Sequence, residues 1–465
     1  MPRPNIVLIL LDDLGWRDLS CYGSTFYETP NIDRLAAEGV RFTNAYAACP
    51  VCSPTRASLM TGRYPARLGL TNYIPGVEKG MLLSAPFVHY LPLEEKTVAD
   101  ALREGGYATW HVGKWHLGKE AYWPEHHGFD VNVAGCDWGG PRHGYFSPWG
   151  HPRLADGPNG EYLDDRLTTE AIGLIRSRDR RKPFFLNFCF HLVHIPVQPK
   201  PDLNDKYAAK SAALGLAGKD PFEIGEPFPC EHKRHLRVIR RTFQSDPGYA
   251  AMVQTADDNV GRLLAALEDE GIAGETIVMF TSDNGGLATA EGSPTCNAPL
   301  AEGKGWMYEG GTRDPLIVRW PGATSRGVET AATVTSPDFF PTMLEMAGLP
   351  PRCELHVDGV SFASVLTGGR APERGPIFWH FPHYANQGGT PGCSVVAGDW
   401  KLIEFFEGNR IELYHLKDDL SEERNVADAR PEIARELRER LRVWLAGIGA
   451  RMPRPNPDWT AAEGA

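Results

Sequence analysis

Two acidic pairs stand out by where they fall. Asp12-Asp13 follows at once on the apolar run Asn5-Ile6-Val7-Leu8-Ile9-Leu10-Leu11, and Asp283-Asn284 follows on Thr276-Ile277-Val278-Met279-Phe280-Thr281 and Ser282. Each run has the length and apolar content of a buried strand. In a parallel sheet, sites form at the carboxyl ends of strands. Adjacent carboxylates there are costly unless cations or a metal neutralise them. An Asp-Asn-Gly turn is often only a turn, and Asp12 alone could cap one. The repeated arrangement offers four hard oxygen ligands, a set that suits Ca²⁺ or Mg²⁺ and not zinc.

Cys52 stands just before a predicted helix start. Pro54 suits a first helical turn, and Ala57, Leu59 and Met60 can continue the helix. A group at position 52 therefore lies near free backbone N–H donors and the positive end of a helix dipole, a natural place for an anion. Arg56, about one turn later, can reach back to the same point. The stretch over 106–118 reads as a short strand ending in a glycine-flanked Lys114-Trp115-His116, and strand alternation would put Lys114 and His116 on one side. Held together at a strand end, they suit an anion or proton-transfer site. A buried strand over 183–190 ends in His191-Leu192-Val193-His194-Ile195-Pro196, which makes His194 and His191 rivals for a site role. Lys304 precedes Glu309-Gly310-Gly311-Thr312-Arg313-Asp314-Pro315.

The 465-residue length exceeds what one core usually serves, so a large domain (1–371) and a smaller one (372–465) are expected. The net charge of −11 argues against a nucleic-acid or anionic-membrane partner, so an anionic substrate needs a local cationic pocket. The 9 cysteines, at irregular spacing, require no disulfides. The first apolar run is too short to span a membrane and lacks a small-residue cleavage site, which predicts a cytoplasmic protein, or a periplasmic or secreted one if a leader was removed. Helices are expected over 97–105, 168–178, 249–270 and 431–445. Loops are expected over 64–92 and 122–162, and a polar insertion or lid over 200–247. Apolar stretches on either side of Glu407-Gly408-Asn409 read as a hairpin.

Five segments in order then resemble the type I sulfatases: the acidic pairs, C-x-P-x-R with T-G-R (52–63), G-Y-x-T-x-x-x-G-K-W-H-L-G (106–118), a strand followed by H-x-P (194–196) and K-x-x-x-x-E-G-G-x-R-x-P (304–315). The resemblance covers nearly the whole chain. It implies an alkaline phosphatase-like α/β fold: a large mixed, mostly parallel sheet flanked by helices, plus a small C-terminal antiparallel sheet with a packed helix. It implies that a maturase acting on the unfolded chain oxidises Cys52 to formylglycine (3-oxoalanine). Asp12, Asp13, Asp283 and Asn284 would hold Ca²⁺, or Mg²⁺, together with the modified Cys52. Arg56 would stabilise the nucleophile and the carboxylates. His116 would contact the aldehyde hydrate and be the base that eliminates sulfate. Lys114, His194 and Lys304 would bind sulfate oxygens, with His194 or Lys304 protonating the leaving alcohol. The chemistry fits: a sulfate ester repels nucleophiles, so the site must neutralise its charge and supply a strong oxygen nucleophile. A metal-bound hydroxyl of the hydrate would attack sulfur, and deprotonation of the second hydroxyl would release sulfate and reform the aldehyde.

Formylglycine-dependent phosphonate monoester or phosphodiester hydrolases are similar. They typically carry His where this chain has Asn284 and lack the Lys114-x-His116 pair. A rival of another class is a silent metal- or glycan-binding homologue with Cys52 unmodified. Trp138, Arg142, His143, His380, His383 and Tyr384 lie in loops able to line an outer pocket, with Arg142 and His383 the expected substrate contacts. The stretch over 379–384 is similar to that of bacterial galactose and N-acetylgalactosamine sulfatases. The expected substrate is therefore a sulfated monosaccharide or glycan end, with aryl sulfates also turned over. A homo-oligomer is compatible with the sequence.

Overall fold

A computed structural model describes residues 3–460. The strand Asn5–Leu11 sits within a nine-stranded sheet, parallel to Phe184–Cys189 on one side and to Thr276–Ser282 on the other. Ala108–Gly113 and Val131–Val133 continue the parallel series. On the other flank Arg313–Arg319 runs antiparallel, followed by Val40–Tyr46. The central strand is apolar along its length because both its faces are covered. Val7, Ile9 and Leu11 pack under the helices Pro30–Glu38, Leu163–Arg176 and Pro247–Asp269. Ile6, Leu8 and Leu10 pack under Cys52–Thr61, Val98–Glu104 and Phe339–Met346. Four parallel strands thus end at one edge, at Leu11, Gly113, Cys189 and Ser282. That shared edge brings together groups far apart in sequence.

A second sheet has four antiparallel strands, Ile377–Phe381, Gly392–Ala397, Trp400–Phe405 and Ile411–His415, the last two forming the expected hairpin. One face carries Cys393, Val395, Leu402 and Leu413 under the helix Pro431–Gly447. The other face packs Trp379, Phe381, Ile403 and Phe405 against Tyr46, Val51 and Met307. A buried charge cluster spans this contact. Lys401 Nζ reaches Glu309 (2.8 Å) and Glu422 (2.9 Å), and Arg313 Nε donates to Glu309 (2.6 Å). Burial pushes Glu422 up to about 7; burial also works to raise Glu309, but Lys401 and Arg313 outweigh it and hold that carboxyl at about 2. Removing one member of such a cluster leaves an uncompensated buried charge, at a cost of ~3–5 kcal/mol. Lys401→Met is therefore expected to lower the urea midpoint by that equivalent at unchanged m-value. A midpoint within experimental error of the parent's would show that the cluster contributes nothing.

The expected helix over 168–178 begins earlier, at Leu163. The polar 200–247 stretch holds a helix, Pro201–Ala213, and a hairpin, Phe222–Pro227 with Arg237–Arg241. Tyr207 and Ser211 alone are buried on that helix, so its sequence carries little periodicity. The 64–92 stretch includes a single helical turn, Pro65–Leu68, and a short strand, Leu82–Leu83. Among the described residues, no helix is long and apolar enough to cross a membrane.

Candidate active site

Cys52 is the first residue of a helix buried along its whole length. Gly62 ends that helix at φ +66, where a Cβ would come within 2.4 Å of His356. Cys52 Sγ lies 3.4 Å from His116 Nδ1. His116 Nε2 sits 2.7 Å from the Ile74 carbonyl, an acceptor only, so Nε2 carries the proton and Nδ1 presents its lone pair to position 52. Burial, reinforced by Lys114, holds His116 well below its ordinary pKa. Burial pushes the Cys52 thiol up, with Lys114 and Lys304 opposing, so the unmodified side chain is a neutral thiol.

Lys114 and His116 do not meet through strand alternation as expected. The strand stops at Gly113, where a Cβ would come 1.8 Å from the Cys189 carbonyl, and His116 takes φ +60. A turn, rather than a pleat, aims His116 at Cys52 and Lys114 at Asp12, 2.6 Å from Oδ2. Lys114 is fully buried beneath Asp12 and does not line the cavity described below.

Asp12, Asp13, Asp283 and Asn284 are all buried at the sheet edge. Asp13 N donates to Asp283 Oδ1 (3.2 Å), and Asn284 Nδ2 donates to Asp13 Oδ1 (2.8 Å). Arg56 Nε donates to Asp283 Oδ2 (2.7 Å), and Lys304 Nζ to Asp13 Oδ2 (2.7 Å). Burial pushes Asp283 up to about 6 even with Arg56 beside it. Burial works the same way on Asp13, but Lys304, with His194 and Lys114, overcomes it and holds that carboxyl low. Three carboxylates thus face three cations.

Two oxygens of this set are left over. Asp12 Oδ1 and Asn284 Oδ1 are buried and, among the described residues, accept no hydrogen bond, although Arg56 Nη2 stands 3.7 Å from Asp12 Oδ1. Ligand atoms of Asp12, Cys52 and Asp283 lie within 4.8 Å of one another, as do those of Asp12, Asp13 and His194. Unpartnered buried oxygens are costly, and a hard divalent cation is the group that satisfies such a set. The residues therefore fit Ca²⁺ or Mg²⁺.

A cavity of about 220 Å³ opens over Cys52, with His116, His194 and Lys304 around it and Tyr73, Glu291, Asn386 and Gln387 also lining it. His194 Nδ1 sits 2.7 Å from the Ile195 carbonyl, and its Nε2 lies 3.7 Å from Asp13 Oδ2. Burial and Lys304 lower its pKa to about 4. The rival His191 is buried and absent from the lining, its backbone N–H donating to Asp164.

The expected outer-pocket residues are placed differently. Arg142 is exposed, 3.4 Å from Asp137 and over the Trp138 ring, and His383 is buried with Nε2 2.8 Å from Thr71 Oγ1. His380 Nε2 meets the Arg451 carbonyl (2.9 Å), and the Tyr384 hydroxyl is held by Glu407 and the Leu82 N–H. None of these four lines the cavity: His380, His383 and Tyr384 are buried on local partners, and Arg142 is exposed beside Asp137. Asn386 and Gln387 lie just beyond the stretch singled out in the sequence; nothing local marks Glu291 or Tyr73. Cys49 and Cys52 form a C-x-x-C spacing, and all nine cysteines are free thiols.

The sulfatase family profile matches residues 4–349, and that of the N-sulphoglucosamine sulphohydrolase C-terminal region matches 302–446. The chain is 34% identical to a sulfatase of Formosa agariphila, over 95% of this chain and 89% of that one. It is 33% identical to the human N-acetylgalactosamine-6-sulfatase, over 81% and 68% of the two chains. Among solved structures it is similar to Ps i-CgsB in complex with k-i-k-neocarrahexaose, with TM-score 0.75 and 26% identity over 99% and 95% of the chains. The shared sheet edge, the motifs on it and these matches agree: the chain belongs to the sulfatase family and is a sulfuric ester hydrolase of alkaline phosphatase-like fold.

Proposed function

We propose that this chain hydrolyses a sulfate monoester of a galactose- or N-acetylgalactosamine-type sugar, with formylglycine at position 52 and Ca²⁺, or Mg²⁺, held by Asp12, Asp13, Asp283 and Asn284. The observation that carries the reading is the convergence at Cys52: the His116 lone pair 3.4 Å away, and two buried oxygens without a hydrogen-bond donor among the described residues, Asp12 Oδ1 and Asn284 Oδ1, in the acidic set beside it. Formylglycine supplies an aldehyde hydrate, an oxygen nucleophile that can expel sulfate afterwards by reforming the aldehyde. A divalent cation supplies charge neutralisation and a lowered pKa for an oxygen bound to it.

The side chains supply the rest. Three carboxylates balance Arg56, Lys114 and Lys304, so a bound divalent ion makes the floor net cationic, the sign a monoanionic ester requires. His116, with its proton fixed on Nε2 by Ile74, keeps Nδ1 free to take a proton at position 52. Lys304 and His194 line the same cavity and are our candidates for binding sulfate oxygens and protonating the leaving alcohol; His194, neutral with its proton on Nδ1 toward the Ile195 carbonyl, would have to gain a second proton on Nε2 to do either. The sugar assignment is supported by the names of the human relative and of the ligand in the Ps i-CgsB complex.

The test is an assay of protein co-expressed with a formylglycine-generating maturase against 4-nitrophenyl sulfate, N-acetylgalactosamine 6-sulfate and phenyl phosphonate monoesters. Sulfate release from the first two is expected to dominate; a converted protein that prefers phosphonates overturns the reading.

A positioning shell leads to a second expectation. Asp18 is buried and accepts from Tyr249 Oη (2.7 Å), Gly15 N (2.9 Å), Thr295 Oγ1 (2.6 Å) and Gln244 Nε2 (3.0 Å), and Tyr249 Oη also lies 3.3 Å from the Asp13 carbonyl. Loss of such outer partners typically weakens metal affinity ~10–100-fold. Tyr249→Phe is expected to weaken Ca²⁺ binding by about tenfold in calorimetric titration of the metal-stripped protein. Unchanged affinity would mean that this shell does not position the carboxylates.

A further inference from the structure

The cavity has two ends of opposite character. Cys52, His194 and Lys304 belong to the floor, which a bound divalent ion would make net cationic. Glu291 belongs to the exposed end, on a tight turn where it takes φ +53 and Ser293 N donates to the Ala290 carbonyl (2.7 Å). Gln387 Nε2 donates to Glu291 Oε2 (2.8 Å). Gln387 is itself buried, and its carbonyl accepts from Trp306 Nε1 (2.9 Å) and Thr289 Oγ1 (2.9 Å). The second carboxylate oxygen of Glu291 takes no hydrogen bond among the described residues. Beside it, Asn386 Nδ2 donates to Tyr73 Oη (3.0 Å) and to Glu78 Oε1 (2.8 Å). At this end Lys233 Nζ donates to the Asn386 carbonyl (3.0 Å) and His232 Nε2 lies 3.1 Å from Asn386 Oδ1, while Lys304, in the same cavity, feels the charge of Glu291 across it.

Resting on the sulfatase reading above, we propose that this end is a subsite for a neutral, hydroxyl-bearing ring, and that Glu291 selects against a second anionic group on the substrate. The cationic floor takes the sulfate, so the alcohol part of the ester points toward Glu291, Asn386 and Gln387. A carboxylate with one free oxygen accepts from hydroxyls. It repels a carboxylate or second sulfate brought into the same partly enclosed space. The volume, about 220 Å³, lies below the ~300–1,000 Å³ of sites that enclose drug-sized ligands. A cavity of that size brings the ring of a bound ester close to Glu291, so a further anion on the face turned toward it meets the carboxylate's charge.

The test uses two matched aryl sulfates, one with a hydroxymethyl and one with a carboxylate opposite the ester, assayed with parent and Glu291→Gln. Their intrinsic reactivities differ, but that difference cancels when the kcat/KM ratio of the pair is compared between parent and variant. The variant is expected to shift the ratio toward the carboxylate substrate at least fivefold, mainly through its KM, and Glu291→Lys to shift it further. Gln387→Leu, which frees Glu291 from its tether, is expected to retain the parent's preference in sign. A ratio unchanged in both Glu291 variants overturns the subsite. Failure of the converted parent to hydrolyse either ester contradicts the proposed function itself, and this subsite with it.

Discussion

Cys52→Ala is expected to abolish sulfate release, with kcat falling about 10⁴-fold or more, the scale on which enzymes lose activity when the covalent nucleophile is removed. Cys52 lies at the floor of the cavity, the His116 lone pair faces it, and the acidic set is beside it. Cys52→Ser is the sharper variant. It keeps a small polar group at the helix start but cannot become an aldehyde by the same thiol chemistry. A serine can attack sulfur, but after attack it has no second hydroxyl on the same carbon with which to expel sulfate. A single-turnover burst followed by arrest is therefore expected, where alanine gives no burst. Steady turnover by Cys52→Ser at the parent's rate would show that position 52 acts through an ordinary hydroxyl.

Asp13→Asn is the second large effect. Asp13 is the hub of the floor: Lys304 Nζ and Asn284 Nδ2 both donate to it, and His194 lies 3.7 Å away. The amide keeps the shape, removes one of three negative charges and offers a donor where Lys304 needs an acceptor. Loss of metal-derived charge stabilisation amounts to several kcal/mol, so kcat/KM is expected to fall about 10²–10³-fold. Part of the loss is expected to return at millimolar Ca²⁺, since Asp12, Asp283 and Asn284 remain. A variant with parental kcat/KM at micromolar metal would remove Asp13 from the ligand set.

Much of this was legible along the chain because the signals are local. A seven-residue apolar strand that ends in Asp12-Asp13 declares both its burial and its site edge within nine residues. The helix over Cys52–Thr61 and the C-terminal hairpin with its helix are equally local. The aim of the Lys114 and His116 side chains was not legible. It depends on positive φ at Gly113 and His116 and on the close approach of the Cys189 carbonyl, which are properties of the folded edge. His383 and Arg142 show the opposite failure. A loop rich in aromatics and histidines looks like a pocket wall, but composition does not say which way a side chain faces. His383 turns inward to Thr71 beneath Phe87, while Arg142 lies outside over Trp138. Glu291 had no marker at all, since it owes its place to a loop brought against Gln387 from 96 residues away.

The most direct test of the central claim is peptide mass spectrometry of the fragment containing position 52, read against kcat for the same preparations. Graded co-expression with a maturase would give samples with different extents of conversion. Conversion of the thiol to the aldehyde nucleophile precursor lowers the fragment mass by about 18 units. The account predicts kcat on 4-nitrophenyl sulfate proportional to the converted fraction, extrapolating to zero for fully unmodified protein. Full activity in a sample whose position 52 is entirely cysteine would contradict it.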